Sequence, residues 1–350
     1  MSLVTYVDLL IVGGGPAGLS AATAFSRLKR TCLLYDSGVY RNEGVKHAHL
    51  ISGYEHCSPS DFRSKMKEDL LKYYSDTFEY RPGRITNLRK LDDQSKEWDF
   101  EAIDDQERLI SAKKVVLATG LKDRLPDIQG VKEQWGKKII HCIFCHGTET
   151  ANAPFAFLLT KANAPMNPKL VESMLKLWRS LNHTDKYILT HGMDFETEQG
   201  RKDAGLEEKY DLIKKLGYKI ISTPIRSITE TVSQNALEIK FEDGKQIQVP
   251  AMLLFPEGFS ANEHATSLLT EDFLEDKLAM FGTIAPPSKE MSMTGLPPRM
   301  GDDPRTNVHG LFWAGNSGSA FANVTISLAQ GQNAAVMAGD QIGEEEMKKL

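Results

Sequence analysis

The feature that most constrains the fold is a glycine-rich turn between an apolar run and a helical segment near the N-terminus. Residues 6–12 form the apolar run, Gly13-Gly14-Gly15-Pro16-Ala17-Gly18 follows, and residues 19–28 carry helical spacing. In the pattern G-x-G-x-x-G the first glycine permits a tight turn, the second lets the backbone approach a pyrophosphate, and the third allows close packing of helix on strand. The sequence therefore predicts a strand, a turn and a helix whose N-terminus binds the phosphates of a dinucleotide.

A second apolar run over residues 31–35 ends at Asp36, eighteen residues after Gly18. An acidic side chain at this distance accepts hydrogen bonds from ribose hydroxyls in βαβ nucleotide folds. The alternative is that the glycines only form a tight turn. The order of strand, helix and strand favours a parallel sheet with an adenine dinucleotide bound at its edge.

The pattern then repeats along the chain. Short alternating segments at 98–103 and 108–111, followed by the apolar run 115–118, predict a small β-meander inserted before the sheet resumes. A similar order recurs from about residue 150, with a strand at 186–190, a helix at 207–216, a hairpin at 237–241 and 246–249, and a closing run at 252–255. The fold class is therefore predicted as α/β, with two Rossmann-like, three-layer ββα dinucleotide-binding domains.

The predicted domains are discontinuous. Residues 1–147 together with 286–350 are expected to form the first domain, because a terminal strand at 311–316 and a helix at 325–342 would make no independent core. Residues 148–285 form the second domain. The segment 285–304, rich in proline and methionine, is interpreted as an irregular connection.

Composition excludes several classes of protein. The 42 lysines and arginines nearly balance 47 aspartates and glutamates, giving a formal charge of -5 without a basic block, so no nucleic-acid partner is expected. There is no apolar stretch of membrane-spanning length and no signal-peptide pattern, so we expect a cytoplasmic protein without a membrane partner. Of the four cysteines, Cys32 lies in an apolar run and Cys57 in a loop, and neither is assigned a role.

The other two cysteines form the motif His141-Cys142-Ile143-Phe144-Cys145-His146. A single C-x-x-C pair can be a redox dithiol or half of a zinc site. Neighbouring residues rarely converge on one metal and no second cysteine pair exists, so redox chemistry is favoured and no metal is expected. An adjacent imidazolium favours a thiolate, and a neutral imidazole can accept the proton of a substrate thiol.

With Ala118-Thr119-Gly120 after the meander and Gly315-Asn316 near the end, the chain resembles the low-molecular-weight thioredoxin reductases over nearly its whole length. The form Cys-x-Phe-Cys-His-Gly and the segment Ser37-Gly38-Val39-Tyr40-Arg41-Asn42 are similar to one branch of that family. This branch contains the FAD-dependent dithiol oxidases that close disulfide bridges in small metabolites, such as the gliotoxin-forming oxidase.

The resemblance implies FAD as the cofactor and a homodimer as the assembly. It implies that Cys145 faces the flavin, that Cys142 exchanges with substrate, and that His146 replaces the aspartate acid/base of the reductases, with His141 also catalytic. The implied FAD contacts are Gly13, Gly15, Pro16, Ala17, Gly18, Asp36, Arg41, Asn42, His49, Ala118, Thr119, Gly120, Gly315, Asn316, Asn323, Val324 and Thr325.

The sequence departs from the reductases in three places. Gly315-Asn316 replaces a Gly-Asp pair, although asparagine can still hydrogen-bond a ribityl hydroxyl. The second domain carries no glycine across residues 155–165, where a nicotinamide dinucleotide would need a glycine turn. Asp194, Glu196 and Glu198 follow the next strand, where the reductases have arginines for the 2'-phosphate.

These departures predict that electrons enter from a dithiol instead of from NADPH. The expected enzyme is a thiol oxidase that forms a disulfide in a dithiol substrate through Cys142 and Cys145, passing electrons by way of FAD to dioxygen. A small-molecule substrate follows from the family branch, and a protein dithiol stays open. One alternative is an NADPH-dependent disulfide reductase. Another is a non-catalytic flavoprotein that sequesters a thiol metabolite.

Overall fold

A computed structural model describes residues 4–91, 97–163, 172, 175–203, 207–261, 304–306, 308–317 and 323–350. Two parallel sheets organise these residues, and the same strand order recurs in both. The predicted boundary at 285/286 lies outside the described residues, as does nearly all of the segment 285–304.

The first sheet combines a parallel part with an antiparallel meander. Its strands, numbered in chain order, are β1 (Thr5–Val12), β2 (Cys32–Asp36), β3 (Phe78–Pro82), β4 (Ile85–Lys90), β5 (Phe100–Asp104), β6 (Leu109–Leu117) and β17 (Leu311–Trp313). The order is β3-β2-β1-β6-β5-β4, with β17 also paired to β6. Strands β4, β5 and β6 are antiparallel, whereas β1 pairs in parallel with both β2 and β6.

The second sheet repeats this arrangement around β9. Its parallel order is β11-β10-β9-β15-β8, beside a separate antiparallel sheet of order β12-β13-β14. The strands of the second half are β8 (Ile139–Ile140), β9 (Phe155–Leu158), β10 (Lys186–Leu189), β11 (Tyr218–Ile221), β12 (Ile225–Thr231), β13 (Ala236–Phe241), β14 (Gln246–Val249) and β15 (Met252–Leu254). A two-stranded antiparallel ribbon of β7 (Leu121–Arg124) and β16 (Gly258–Ala261) runs between the halves.

Seven α-helices have both of their ends within the described part of the chain. They are α1 (Pro16–Ser26), α2 (Pro59–Tyr73), α3 (Val131–Gln134), α4 (Ile143–His146), α5 (Glu198–Asp203), α6 (Tyr210–Lys215) and α7 (Val324–Met347). Two of them begin at a side chain that accepts a backbone N–H, Ser58 for α2 and Asn323 for α7. No helix in the described ranges is both long and apolar enough to cross a lipid bilayer.

The C-terminal helix α7 returns to the N-terminal helix α1 at a close crossing. A methyl group built at Gly331 would lie 2.1 Å from the carbonyl oxygen of Ala17, so only glycine permits this approach. Next to the crossing, the Ser20 hydroxyl donates to the carbonyl of Leu328 at 2.8 Å. Fully buried alanines at 334, 335 and 338 continue the contact along α7. The crossing places the segment before α7 against the turn that precedes α1.

The predicted fold class is confirmed, and two details differ. The runs at 108–111 and 115–118, interpreted as separate strands, form the single strand β6, because Lys113 and Lys114 are accommodated within it. Helix α2 was not predicted, since only Pro59, Phe62 and Leu70 of its residues are buried. The boundary near residue 147 stays a prediction, although β8, directly before the dithiol, already pairs with β15 of the second sheet.

Lys114 is fully buried within β6, and its ammonium group is held by two carboxylates. Its Nζ atom lies 2.7 Å from Asp99 Oδ2 and 2.7 Å from Glu345 Oε1. Asp99 directly precedes β5 and Glu345 lies in the last turn of α7. The lysine therefore ties the meander to the C-terminal helix.

We predict that Lys114→Met destabilises the first half of the molecule by about 2 kcal/mol, because two partly buried carboxylates lose their common partner. The matched control is Lys65→Met, which removes a solvent-exposed pair with Asp69 and should change stability by less than about 0.5 kcal/mol. Urea unfolding followed by flavin fluorescence measures both. Equal effects of the two substitutions would contradict this role for Lys114.

Candidate functional site

One cleft brings together the glycine turn, the end of β2 and the dithiol. The turn after β1 lines one part of the cleft, and Cys145, His141 and His146 line another. The segments 118–120 and 314–316 close the cleft between them. A molecule bound along the turn would thus reach the dithiol.

The turn has the backbone shape that a bound pyrophosphate needs. Gly13 adopts a φ of +117°, and a methyl group there would lie 2.2 Å from the carbonyl oxygen of Ala118. Gly15, the N-cap of α1, faces open space, with nothing within 4 Å of a built methyl group. Because the first N–H groups of a helix lack partners inside it, this open position can hold phosphate oxygens. Gly18 lies beneath the turn, against the carbonyl oxygen of Gly13.

Asp36 lies at the end of β2 on the wall of the cleft, and its carboxylate is largely engaged. Oδ1 accepts the Gly38 N–H at 2.9 Å, and Oδ2 accepts the hydroxyls of Tyr40 at 2.6 Å and Tyr80 at 2.9 Å. Burial and the neighbouring carboxylate raise the pKa of Tyr40 to about 12, so this hydroxyl stays a donor. A carboxylate accepts about four hydrogen bonds, which leaves room for about one ribose hydroxyl.

Most of the other predicted cofactor contacts also line the cleft. These are Pro16, Ala17, Arg41, Asn42, His49, Ala118, Thr119, Gly120, Gly315, Asn316, Asn323 and Val324. Thr325 instead faces the loop 48–57, where its hydroxyl donates to the carbonyl of Leu50 at 2.8 Å. The Arg41 guanidinium forms a two-point ion pair with Asp123, at 2.6 and 3.0 Å. The roles of the cleft-lining residues and of Thr325 as FAD contacts stay predictions.

Cys142 and Cys145 form a disulfide across the first turn of α4, with their Cα atoms 5.3 Å apart. Cys142 is the N-cap of this short helix, and Cys145 lies on the side that lines the cleft. In this oxidised state the pair offers no thiolate to a metal. Between the cysteines, the ring of Phe144 is 59% exposed and points away from the core.

The two histidines beside the dithiol are both held in the neutral form. Burial, with the positive charge of Arg41 as a second cause, lowers the pKa of His141 to about 4. Burial also lowers the pKa of His146, and the nearby His49 and His47 add to the effect. A neutral imidazole next to Cys145 can accept a proton from a thiol.

The partners of His49 were not found from the sequence, which indicated His49 only as a cofactor contact. His49 contacts Glu55 through Nδ1 at 2.8 Å and Glu149 through Nε2 at 3.1 Å. Its ring centre lies 5.5 Å from that of His146 and 4.4 Å from that of His56. These partners come from separate segments of the chain, so no local spacing could have indicated them.

In the second half, the loop after β9 is closed by its own side chains. The backbone N–H of Thr160 donates to Asn163 Oδ1 at 2.8 Å, and Asn163 Nδ2 donates to the carbonyl of Phe255 at 2.9 Å. The Thr160 hydroxyl donates to Glu257 Oε1 at 2.6 Å. Since β9 is the counterpart of β1, a carboxylate and an amide lie where the first half has its open glycine turn.

The acidic stretch after β10 gives weaker evidence than the sequence suggested. Glu196 is paired with Lys214 at 3.2 Å and accepts the Tyr210 hydroxyl at 2.6 Å, and Glu198 is paired with Lys202. Two of the three acids therefore have cationic partners, which reduces their repulsion of a phosphate. The loop after β9 is the stronger argument against a second dinucleotide.

The chain is similar in sequence to a family of disulphide oxidoreductases and to proteins named thioredoxin reductase. The sequence pattern of the family described as pyridine nucleotide-disulphide oxidoreductase matches residues 7–161. The chain is 32% identical to thioredoxin reductase aclD of Aspergillus oryzae, covering 98% of both proteins. It is 30% identical to thioredoxin reductase tcpT of Claviceps purpurea, covering 98% of this chain and 96% of that one.

A solved structure shares the fold at lower sequence identity. The thioredoxin reductase of Streptococcus pyogenes superposes with a TM-score of 0.67 at 15% identity, covering 97% of this chain and 99% of that one. This match supports the arrangement of the two sheets.

We predict that Gly15→Ala leaves the protein folded and weakens dinucleotide binding by at least about tenfold. The backbone of Gly15 suits alanine, with φ of -74°, so the added methyl group affects only the open position where a pyrophosphate would lie. The control is Gly343→Ala in α7, which also meets nothing within 4 Å and should leave binding unchanged. Flavin fluorescence during titration of the apoprotein measures both. Wild-type affinity in Gly15→Ala would contradict the prediction.

Proposed function

The chain belongs to the thioredoxin reductase family of pyridine nucleotide-disulphide oxidoreductases, and we propose that it works as an FAD-dependent thiol oxidase. In this proposal it forms a disulfide in a dithiol substrate through Cys142 and Cys145, and dioxygen receives the electrons. The observation that carries the proposal is the single cleft lined by both the glycine turn and Cys145.

The cofactor of this family is FAD, and the cleft fits it. The glycine turn and the N-terminus of α1 would hold the pyrophosphate, Asp36 the adenosine ribose, and the segments at 118–120 and 314–316 the remaining length. When bound, FAD supplies an acceptor for two electrons from the reduced dithiol. Every other step is carried out by groups of this chain.

The proposed exchange begins at Cys142, which leaves Cys145 on the side that lines the cleft. A substrate thiolate attacks Sγ of Cys142, a new sulfur–sulfur bond forms, and Cys145 leaves as a thiolate. The second thiolate of the substrate then attacks its own sulfur in this mixed disulfide, which releases the cyclic or paired product and the Cys142 thiolate. The substrate has lost two electrons and two protons, and the enzyme dithiol has gained the electrons.

His146 is placed to handle the protons. His146 follows Cys145 directly in the chain, and both residues line the same cleft. Because the lowered pKa keeps it neutral near pH 7, it can accept a proton from each incoming substrate thiol. A charged histidine could not do so.

The proposed direction of electron flow rests on the second half of the molecule. The loop after β9 uses the Thr160 N–H for an internal bond and presents Glu257 at the same place. A negative carboxylate there opposes a pyrophosphate. This supports electron entry from a dithiol. The relatives named thioredoxin reductase favour the NADPH-dependent reductase instead, so both donors belong in the test.

Anaerobic titration of the holoenzyme separates the two directions. We expect dithiothreitol, used as the probe dithiol, to bleach the flavin absorbance, and NADPH to leave it unchanged. Admission of air should restore the absorbance with formation of hydrogen peroxide. Bleaching by NADPH without dithiol would show a reductase. No bleaching by either donor would contradict the oxidase and favour a non-catalytic flavoprotein.

Cysteine variants locate the entry point. We expect Cys145→Ser to retain FAD and to lower dithiol-driven flavin reduction by at least about 1000-fold, because no exchangeable disulfide remains. The matched control is Cys57→Ser, which removes a cysteine that lies outside the disulfide. It should react at the wild-type rate. Similar rates in all three proteins would mean that the dithiol reduces the flavin directly.

The rate of flavin reduction should depend weakly on pH across the neutral range. Because the pKa of His146 is lowered, its neutral form persists below the ordinary histidine value of about 6.5, and the rate should fall only in more acidic solution. In His146→Gln the rate should instead follow ionisation of the substrate thiol, rising about tenfold per pH unit up to its pKa. Stopped-flow measurements from pH 5 to 9 compare the two. Identical profiles would exclude His146 as the base.

A further inference from the structure

The loop 48–57 holds two residues in an unusual backbone conformation. An antiparallel bridge closes it, with the Ala48 N–H donating to the Cys57 carbonyl at 2.7 Å. Within it, Leu50 and His56 adopt positive φ angles of 63° and 61°. Residues other than glycine rarely adopt this backbone conformation, and they keep it where the surrounding structure requires it. The result is that His49 is directed toward His146.

His49 is clamped between two carboxylates. Its Nδ1 atom lies 2.8 Å from Glu55 Oε1, and its Nε2 atom lies 3.1 Å from Glu149 Oε1. Glu55 is itself fixed, because its second oxygen accepts the Leu50 N–H at 3.0 Å. A neutral imidazole has one N–H, so only the doubly protonated ring can donate to both acids. Carboxylates on both sides of the ring therefore suit an imidazolium at this position.

The ring of His49 lies against that of His146. The two rings meet edge to face at 83°, with centres 5.5 Å apart, and only 8% of the His49 side chain is exposed. Nitrogen atoms of both rings and a carboxylate oxygen of Glu149 lie within 4.8 Å of one another. At this depth water screens charges poorly, so their interaction is substantial.

Other charged groups also face His146. His49 faces it from the loop 48–57, and His47 faces it from the residue before that loop. His56 and Glu55 lie behind these two histidines. From the segment after α4 the charged group is Glu149. From the segment before α4, the uncharged His141 faces His146 and lies near Arg41 and Asp123. Burial, His49 and His47 lower the pKa of His146, whereas Glu149 raises it.

We propose that His49, held between Glu55 and Glu149, is a positioning residue that keeps His146 in the neutral form able to accept a thiol proton. The inference rests on the proposed function and adds a residue to it. In the step concerned, the S–H bond of the substrate breaks, an N–H bond forms on His146, and the electron pair stays on sulfur. Glu149 is half exposed, so it connects His49 and His146 to solvent.

The proposal gives variants at the two positions opposite effects. His49→Gln removes a positive charge while retaining hydrogen-bonding groups, so His146 should become protonated at higher pH than in the wild type. Glu149→Gln removes a negative charge, so His146 should become protonated at lower pH. His49→Lys restores the charge without the ring, so titration of His146 should return close to the wild-type curve.

Titration of His146 can be measured without turnover. Holoenzyme labelled with carbon-13 at histidine Cε1 gives one resonance for each histidine, and the resonance absent from His146→Gln belongs to His146. The control is Glu344→Gln, which also removes one negative charge. Glu344 lies in α7 twenty residues after Val324, which places it about 30 Å from the cleft. This substitution should leave the His146 curve unchanged.

Kinetics provide a second measurement on the same proteins. For dithiol-driven flavin reduction we expect His49→Gln to lower the rate at pH 6 by about three- to tenfold and to approach the wild-type rate above pH 8. Unshifted or equally shifted His146 curves in His49→Gln and Glu149→Gln would overturn the proposal, and so would His49→Lys behaving like His49→Gln. Failure of wild-type bleaching would contradict the oxidase, yet the resonance titration would still decide the role of His49.

Discussion

The cofactor cleft depends on the close crossing of α1 and α7 at Gly331. The N-terminal motif supplies the glycine turn, but residues 314–316 and 323–324, which complete the cleft, come from the other end of the chain. They reach it because α7 packs directly on the backbone of α1, with buried alanines continuing the contact. The buried pair of Lys114 and Glu345 fixes the far end of the same helix. Two regions separated by about 300 residues thus act as one binding wall.

Much of this fold could be predicted from the sequence, because its strongest signals are local. The glycine turn, the apolar strands and the hairpin at 237–241 and 246–249 each depend on residues close together in the chain, and each was found. Strand β6 was predicted as two strands because Lys113 and Lys114 interrupt its apolar pattern. Their partners Asp8, Asp99 and Glu345 are brought to them by the sheet and by α7. Helix α2 was missed because its buried face is small, although Ser58-Pro59 is a good helix start.

The candidate site divides in the same way. Cys142, Cys145, His141 and His146 form one short motif, so the sequence could place them together. In the structure, His141, Cys145 and His146 line the cleft, and Cys142 is joined to Cys145 by the disulfide. His49 was assigned only as a cofactor contact, and its ionic partners were not anticipated. His49 and Glu149 are a hundred residues apart, and the contact arises only when the loop 48–57 folds against α4. Interactions that set the charge of a group are the least visible in sequence, since they depend on distance in space.

The closed loop after β9 limits how this part of the chain can be changed. Asn163 holds the Thr160 N–H and the Phe255 carbonyl together, while Thr160 binds Glu257. Each side chain now satisfies a polar group that would otherwise be buried without a partner. A glycine introduced at any one of these positions would leave such a group unsatisfied before it created a phosphate site. A glycine turn could therefore be built at this loop only by changing several of these residues together, because each single change would first cost stability.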